Sequence, residues 1–119
     1  MTTPPTSDAL SLADLPVPVG RYLTAHRDRD ADAALAVLAS EATIVDDGRS
    51  HSGQEAIRAW LGSEASEYSY TIEPITAWRT GDEITVVQRL IGNFPGGTVD
   101  LRFTFTLASG RIDRVVIAP

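Results

Sequence analysis

Ala42-Thr43-Ile44-Val45-Asp46-Asp47-Gly48 is the stretch whose reading decides how this chain is organised. Its alternating, β-branched residues predict a short strand, and the two acids with Gly48 predict a turn at its end. A strand that runs from apolar core to solvent would account for both carboxylates as turn chemistry. They gain chemical meaning only if the strand ends inside a cavity and a proton donor faces it. Tyr22, on the helix before the strand, is the candidate donor.

Upstream, Pro16 and Pro18 suit the entry and first turn of a helix. Val19, Tyr22, Leu23 and His26 follow at i, i+3, i+4 and i+7, which is a helical stripe. Arg21, Arg27 and Asp28 fall away from that stripe, so Tyr22 and His26 lie one turn apart on or beside its buried face. Arg27-Asp28-Arg29-Asp30 reads as a solvated end. A shorter second helix opens on Asp30 or Asp32 and turns Ala34, Leu35 and Leu38 inward. Residues 1–14 read as a polar, proline-containing leader whose Leu10 and Leu12, with Leu15 beyond it, pin it across the domain. Residues 15–119 form the folded unit.

Downstream, residues 48–53 are expected to turn the chain into a third helix, with Ile57, Trp60 and Leu61 on one face and Gly62-Ser63 closing it. From Tyr68 the period changes to two. Strands are predicted through Ile72 to Trp78, at 84–92, at 99–107 and at 112–118, with Pro74 marking an edge, bulge or bend. Thr80-Gly81-Asp82 and Ser109-Gly110 are the hairpin turns, and 93–97 is a loop. Three helices with one strand among them, then a four-stranded antiparallel meander, make an α+β fold with helices on one side of a curved sheet. Val87 and Ile91 fall on the sheet's other face, which predicts self-association as a homodimer.

Composition narrows the function. The net charge is −6, and all ten basic residues are arginine, with no basic run. Nucleic acid and anionic membranes need a basic patch, so neither is an expected partner. The chain has no cysteine, which removes thiolate chemistry and disulfides and leaves the cytosol as the default compartment. Residues 1–13 lack both the charge and the apolar run of a secretory signal. Only His26 and His51 offer imidazole, at no metal-binding spacing, so no metal is expected.

Val19-Gly20-Arg21-Tyr22-Leu23, the 42–46 strand and Gly53-Gln54-Glu55-Ala56-Ile57-Arg58, in this element order, resemble the NTF2-like superfamily over residues 16–118. The nearest branches are the ketosteroid isomerases and the SnoaL-like polyketide cyclases. The resemblance implies a cystatin-like cone, three N-terminal helices on a curved antiparallel sheet that encloses an apolar pocket. In ketosteroid isomerases a helix-1 tyrosine donates to the substrate's developing oxyanion, and a strand-end aspartate 24 positions later shuttles a proton between carbons. Tyr22 and Asp46 stand at the matching positions with that spacing. The implied activity is therefore cofactor-independent acid–base chemistry, isomerisation or cyclisation, on a small hydrophobic steroid- or polyketide-like carbonyl compound. Asp46 would be the base, Tyr22 the oxyanion donor and His26 a helper, in a pocket lined by Val19, Trp60, Leu101 and Phe103.

The pattern departs from that family in one place. The isomerases carry a second, protonated acid on the penultimate strand, whereas here the inward phase carries Val99, Leu101 and Phe103. Asp100 lies one residue out of register, hence on the opposite face. No arginine flanked by two aspartates matches the epoxide-hydrolase branch, and the paired histidines of the dehydratase branch are not found.

Plainer readings stand beside these. Tyr22 and His26 are then core residues, His51 is solvated in its loop, and Trp60 and Trp78 serve packing or dimerisation. The chain would be a non-catalytic module that binds a small apolar ligand or only dimerises, or a cone filled by Phe94, Phe103, Phe105 and Trp60. A pocket holding both the Tyr22 hydroxyl and the Asp46 carboxylate separates the enzyme from the module.

Overall fold

The structure is a computed structural model that describes residues 8–67 and 69–119. The expectations for residues 1–7 and Tyr68 lie outside the described residues. In chain order the elements are β1 (Asp8–Leu10), a 3-10 turn (Leu12–Asp14), α1 (Val17–Arg27), α2 (Ala31–Val37), β2 (Leu38–Asp46), β3 (Arg49–Ser52) and α3 (Gln54–Glu67). Four strands complete the chain: β4 (Tyr70–Thr80), β5 (Glu83–Gly92), β6 (Thr98–Ala108) and β7 (Arg111–Ala118). They form one seven-stranded sheet in the order β1-β4-β5-β6-β7-β2-β3.

The expected meander is β4 to β7, and three helices pack on it in an α+β cone. The sheet is mixed, because β2 joins β7 in parallel with Ile44 opposite Val115 and Asp46 opposite Ile117. Register shifts in the β2–β7, β4–β5 and β6–β7 ladders bend the sheet toward the helices. Pro74 sits at the β4 shift, where its missing N–H does least harm to the ladder.

α1 buries Val19, Tyr22, Leu23 and His26, the stripe its spacing predicts, together with Ala25. Its end is a Schellman motif: the Asp30 N–H donates to Ala25 O at 2.8 Å and the Arg29 N–H to His26 O at 3.2 Å. Arg29 takes the left-handed φ of +57° that glycine usually fills, and its guanidinium lies 5.4 Å from the Tyr70 ring centroid. Asp30 also caps α2, accepting from the Ala33 N–H at 3.1 Å.

Several boundaries differ from the sequence expectation. Residues 8–10, expected in the leader, pair with β4, because that edge offers unpaired backbone groups. Gly62-Ser63 does not close α3, which runs on to Glu67. A glycine inside a helix costs only about 1 kcal/mol and does not by itself end one. Residues 48–53 are not all turn. Asp47 (φ 51°) and Gly48 (φ 74°) alone reverse the chain, with Asp46 opposite Arg49 in the ladder, and β3 follows at once. Two central residues with positive φ are the tight hairpin connection that matches strand twist.

The core lies between the helices and the inward residues of the sheet, among them Ile84, Val86 and Leu90 of β5 and Phe103 and Phe105 of β6. Each such side chain contributes about 1.5–3 kcal/mol on burial. At the far end of β5 the backbone of Gly92 presses against β4, where an added Cβ would overlap Ser69 O and the Tyr70 Cβ. On the outer face Arg89 forks onto Asp100 at 2.9 and 3.1 Å, so Asp100 does point away from the core as its register predicts.

Candidate active site around Trp60

Period two puts Ala42, Ile44 and Asp46 on the same face of β2. Ala42 and Ile44 are fully buried, and Asp46 is the half-buried last residue of that inward row. The turn is thus Asp47-Gly48, and Asp46 belongs to the strand. Its Oδ2 accepts from the Trp60 indole Nε1–H at 3.2 Å. Trp60 reaches it from α3, whose Ile57 and Trp60 are buried while Leu61 is half-buried.

Tyr22 and His26, one helical turn apart, share a hydrogen bond between the phenol and Nδ1 at 3.2 Å. Tyr22 is 0% exposed. Its ring meets Phe105 edge-on at 5.5 Å, and His26 meets Phe103 at 5.6 Å and Trp60 at 5.9 Å, also edge-on. Trp60 therefore touches both Asp46 and His26, its indole N–H on the Asp46 carboxylate and its ring edge-on to His26.

The apolar pocket expected between α1, α3 and the concave sheet is largely occupied by these rings. Val19 and Phe103 are closed off in the core, and Leu101 is half-buried at its margin. Two hollows border these residues. A cavity of about 190 Å³ adjoins His26, beside Arg29, Arg58, Leu61 and Tyr70. An open groove of about 670 Å³ runs along Asp46, Asp47, Arg49, His51, Trp60 and Ser63. Asp46 thus borders the open groove, and His26, which is hydrogen-bonded to Tyr22, borders the cavity.

His51 is not simply solvated. It sits on β3 opposite Ile44 and lies 5.7 Å from Trp60, its ring tilted 30° to the indole. The signal that would have found it is Asp47-Gly48, a two-residue turn that demands a returning strand. Among the described residues no group of three or more His, Asp or Glu gathers as a metal site. Among them too, no helix is long and apolar enough to cross a membrane, which leaves β-barrels untouched.

Comparison with known proteins now bears on the fold. Residues 19–115 match the SnoaL-like domain. The chain belongs to that family. No curated protein matches this SnoaL-like chain. Among solved structures, a candidate polyketide cyclase from Sinorhizobium meliloti is 35% identical to it, with a TM-score of 0.86, over 92% of this chain and all of the other. A protein of ketosteroid isomerase-like fold from Catenulispora acidiphila, in complex with trimethylamine, is 20% identical, with a TM-score of 0.76, over 87% of this chain and 85% of its own. A Mycobacterium tuberculosis protein in complex with estradiol-17β-hemisuccinate is also 20% identical, with a TM-score of 0.72, over 87% and 91%. The SnoaL-like domain described here therefore has an NTF2-like fold of isomerase and cyclase type.

Proposed function

We propose that this SnoaL-like chain is a cofactor-independent acid–base enzyme of isomerase or cyclase type, acting on a small apolar carbonyl compound with Asp46 as its base. One observation carries the reading. A carboxylate in the inward row of β2 is held by an indole N–H at 3.2 Å, at the edge of a groove with room for a small molecule. A base fixed in this way loses little freedom when it meets a carbon-bound proton.

Asp46 takes the proton next to the carbonyl, the electron pair moves onto the carbonyl oxygen, and the same carboxylate returns the proton at its new position. Tyr22 is the donor to the enolate oxygen, with His26 hydrogen-bonded behind it. Tyr22 is fully buried, so substrate reaches that hydroxyl only once the side chains packed over it move aside. The 35% identical Sinorhizobium meliloti candidate cyclase and the steroid ester held by the mycobacterial protein support the substrate class.

The test is deuterium uptake beside the carbonyl in heavy water, with cyclic and β,γ-unsaturated ketones, comparing wild type with Asp46→Asn. Exchange should fall about 10²–10⁴-fold in the variant. Equal rates in the two proteins would overturn the role of Asp46.

A second reading has its own support. Tyr22 is fully buried, and Phe103, Phe105 and Trp60 fill the cone. The chain is then a non-catalytic module. In either case we read the outer face of β5, where Ile91 is 52% exposed, as a homodimer surface. Ile91→Arg should sediment as a monomer where wild type sediments as a dimer.

A further inference from the structure

Gln88 is the polar member of an otherwise apolar row on the inner face of β5, with Ile84, Val86 and Leu90. It is only 1% exposed, and its Nε2 has no hydrogen-bond partner among the described residues. A primary amide has two N–H donors, and leaving them buried and unpaired is costly enough that such groups usually meet a water or a ligand.

Gln88 lines a recess of about 150 Å³ on the opposite flank of α1 from Trp60. Leu12 and Leu15, in the segment that leads into α1, border it, Leu23, Ile72 and Pro74 add apolar wall, and Thr24 and Arg27 of α1 lie at its polar side. Gly20 also borders this recess, where an added Cβ would meet nothing within 4 Å. The volume is about that of an apolar cavity that accepts a benzene-sized molecule.

We propose that this recess is a second small-molecule site, which takes a compact aliphatic ring compound through one acceptor oxygen hydrogen-bonded to the Gln88 amide. The leucines, Ile72 and Pro74 supply shape and apolar contact, and the Gln88 amide, buried where Thr24 and Arg27 are exposed, supplies orientation. The site is separate from the Asp46 groove, and it stands whether or not Asp46 is a base.

Cyclohexanone is the probe, with methylenecyclohexane as its counterpart of similar shape that lacks the oxygen. The readout is the side-chain amide signal of Gln88 in ¹⁵N-correlated NMR spectra of the full chain. Wild type should show a saturable shift of that signal with cyclohexanone and bind methylenecyclohexane about tenfold more weakly. Gln88→Leu, followed through the backbone amides of Leu23 and Ile72, should bind the two probes alike. Gly20→Leu should fill the recess and abolish binding, while its helix remains intact because leucine favours helix more than glycine does. The proposal fails if the Gln88 signal does not move, if wild type does not prefer the ketone, or if Gly20→Leu still binds. It fails too if a long-lived water stays on the Gln88 amide at saturating ketone, since water alone would then be the natural partner.

Discussion

The two sides of Trp60 are built differently. On the inner side, Tyr22 and His26 come from neighbouring turns of one helix and bond to each other, walled in by Phe103 and Phe105. On the outer side, Asp46 and His51 come from paired strands and border an open groove. The inner pair is local in sequence and closed, whereas the outer pair is brought together by a hairpin and accessible. A helix sets the first pair by local spacing, whereas the second needs strand pairing, and Trp60 touches both.

Replacing the base has the largest expected effect, the 10²–10⁴-fold loss of exchange in Asp46→Asn given above. Removing the Trp60 indole comes next. Trp60→Ala should cost about 3–5 kcal/mol in urea unfolding. In the folded variant, the Tyr22 phenol should become visible to solvent quenchers of fluorescence. A phenol that stayed shielded would mean that other side chains, not the indole, seal it.

Tyr22→Phe keeps the ring and removes the hydroxyl that His26 Nδ1 bonds. About 1–3 kcal/mol of stability should be lost, read by thermal unfolding. If Tyr22 is also the oxyanion donor, exchange should fall beyond what the remaining folded fraction explains. Unchanged exchange per folded molecule would assign Tyr22 to the core alone.

The smallest effect belongs to the outer sheet face. The Arg89 guanidinium, hydrogen-bonded to Asp100, holds that carboxyl below its ordinary range. A lowered folded pKa stabilises the protein above the unfolded value, about 3.9 for Asp, and the contribution is lost as pH falls through the folded value. Wild type should thus be slightly more stable than Asp100→Asn at neutral pH, with the gap closing below about pH 4. Both side chains are 46% exposed, so added salt should narrow the gap as well. A gap that persists in acid would assign the difference to packing.

Much of the fold was legible because it rests on local periodicity. The stripe Val19, Tyr22, Leu23 and His26 packs as its spacing says, and the inward and outward rows of β5 and β6 follow from period two. The misplacement of Asp100 could be read from register alone. The missed elements depend on partners distant in sequence. β1 exists because β4 has an open edge, and β3 exists because Asp47-Gly48 is short enough to send the chain straight back along β2. Gln88 stood in plain view in the inward row, but only packing reveals that its Nε2 finds no partner among the described residues.

Side-chain spacing and turn chemistry within a few residues sufficed for the order of the three helices, β2 and the β4–β7 meander and for their buried faces, and the residue pattern carried the likeness to the SnoaL-like family. Only the tertiary structure decided which polar groups meet. Trp60, fourteen positions after Asp46, reaches its carboxylate and meets the His26 ring because α3 packs against β2 and α2 and carries the indole between strand end and helix. That placement is set by how ring volumes fill the cone, a property of the whole packed core and of no single stretch of chain.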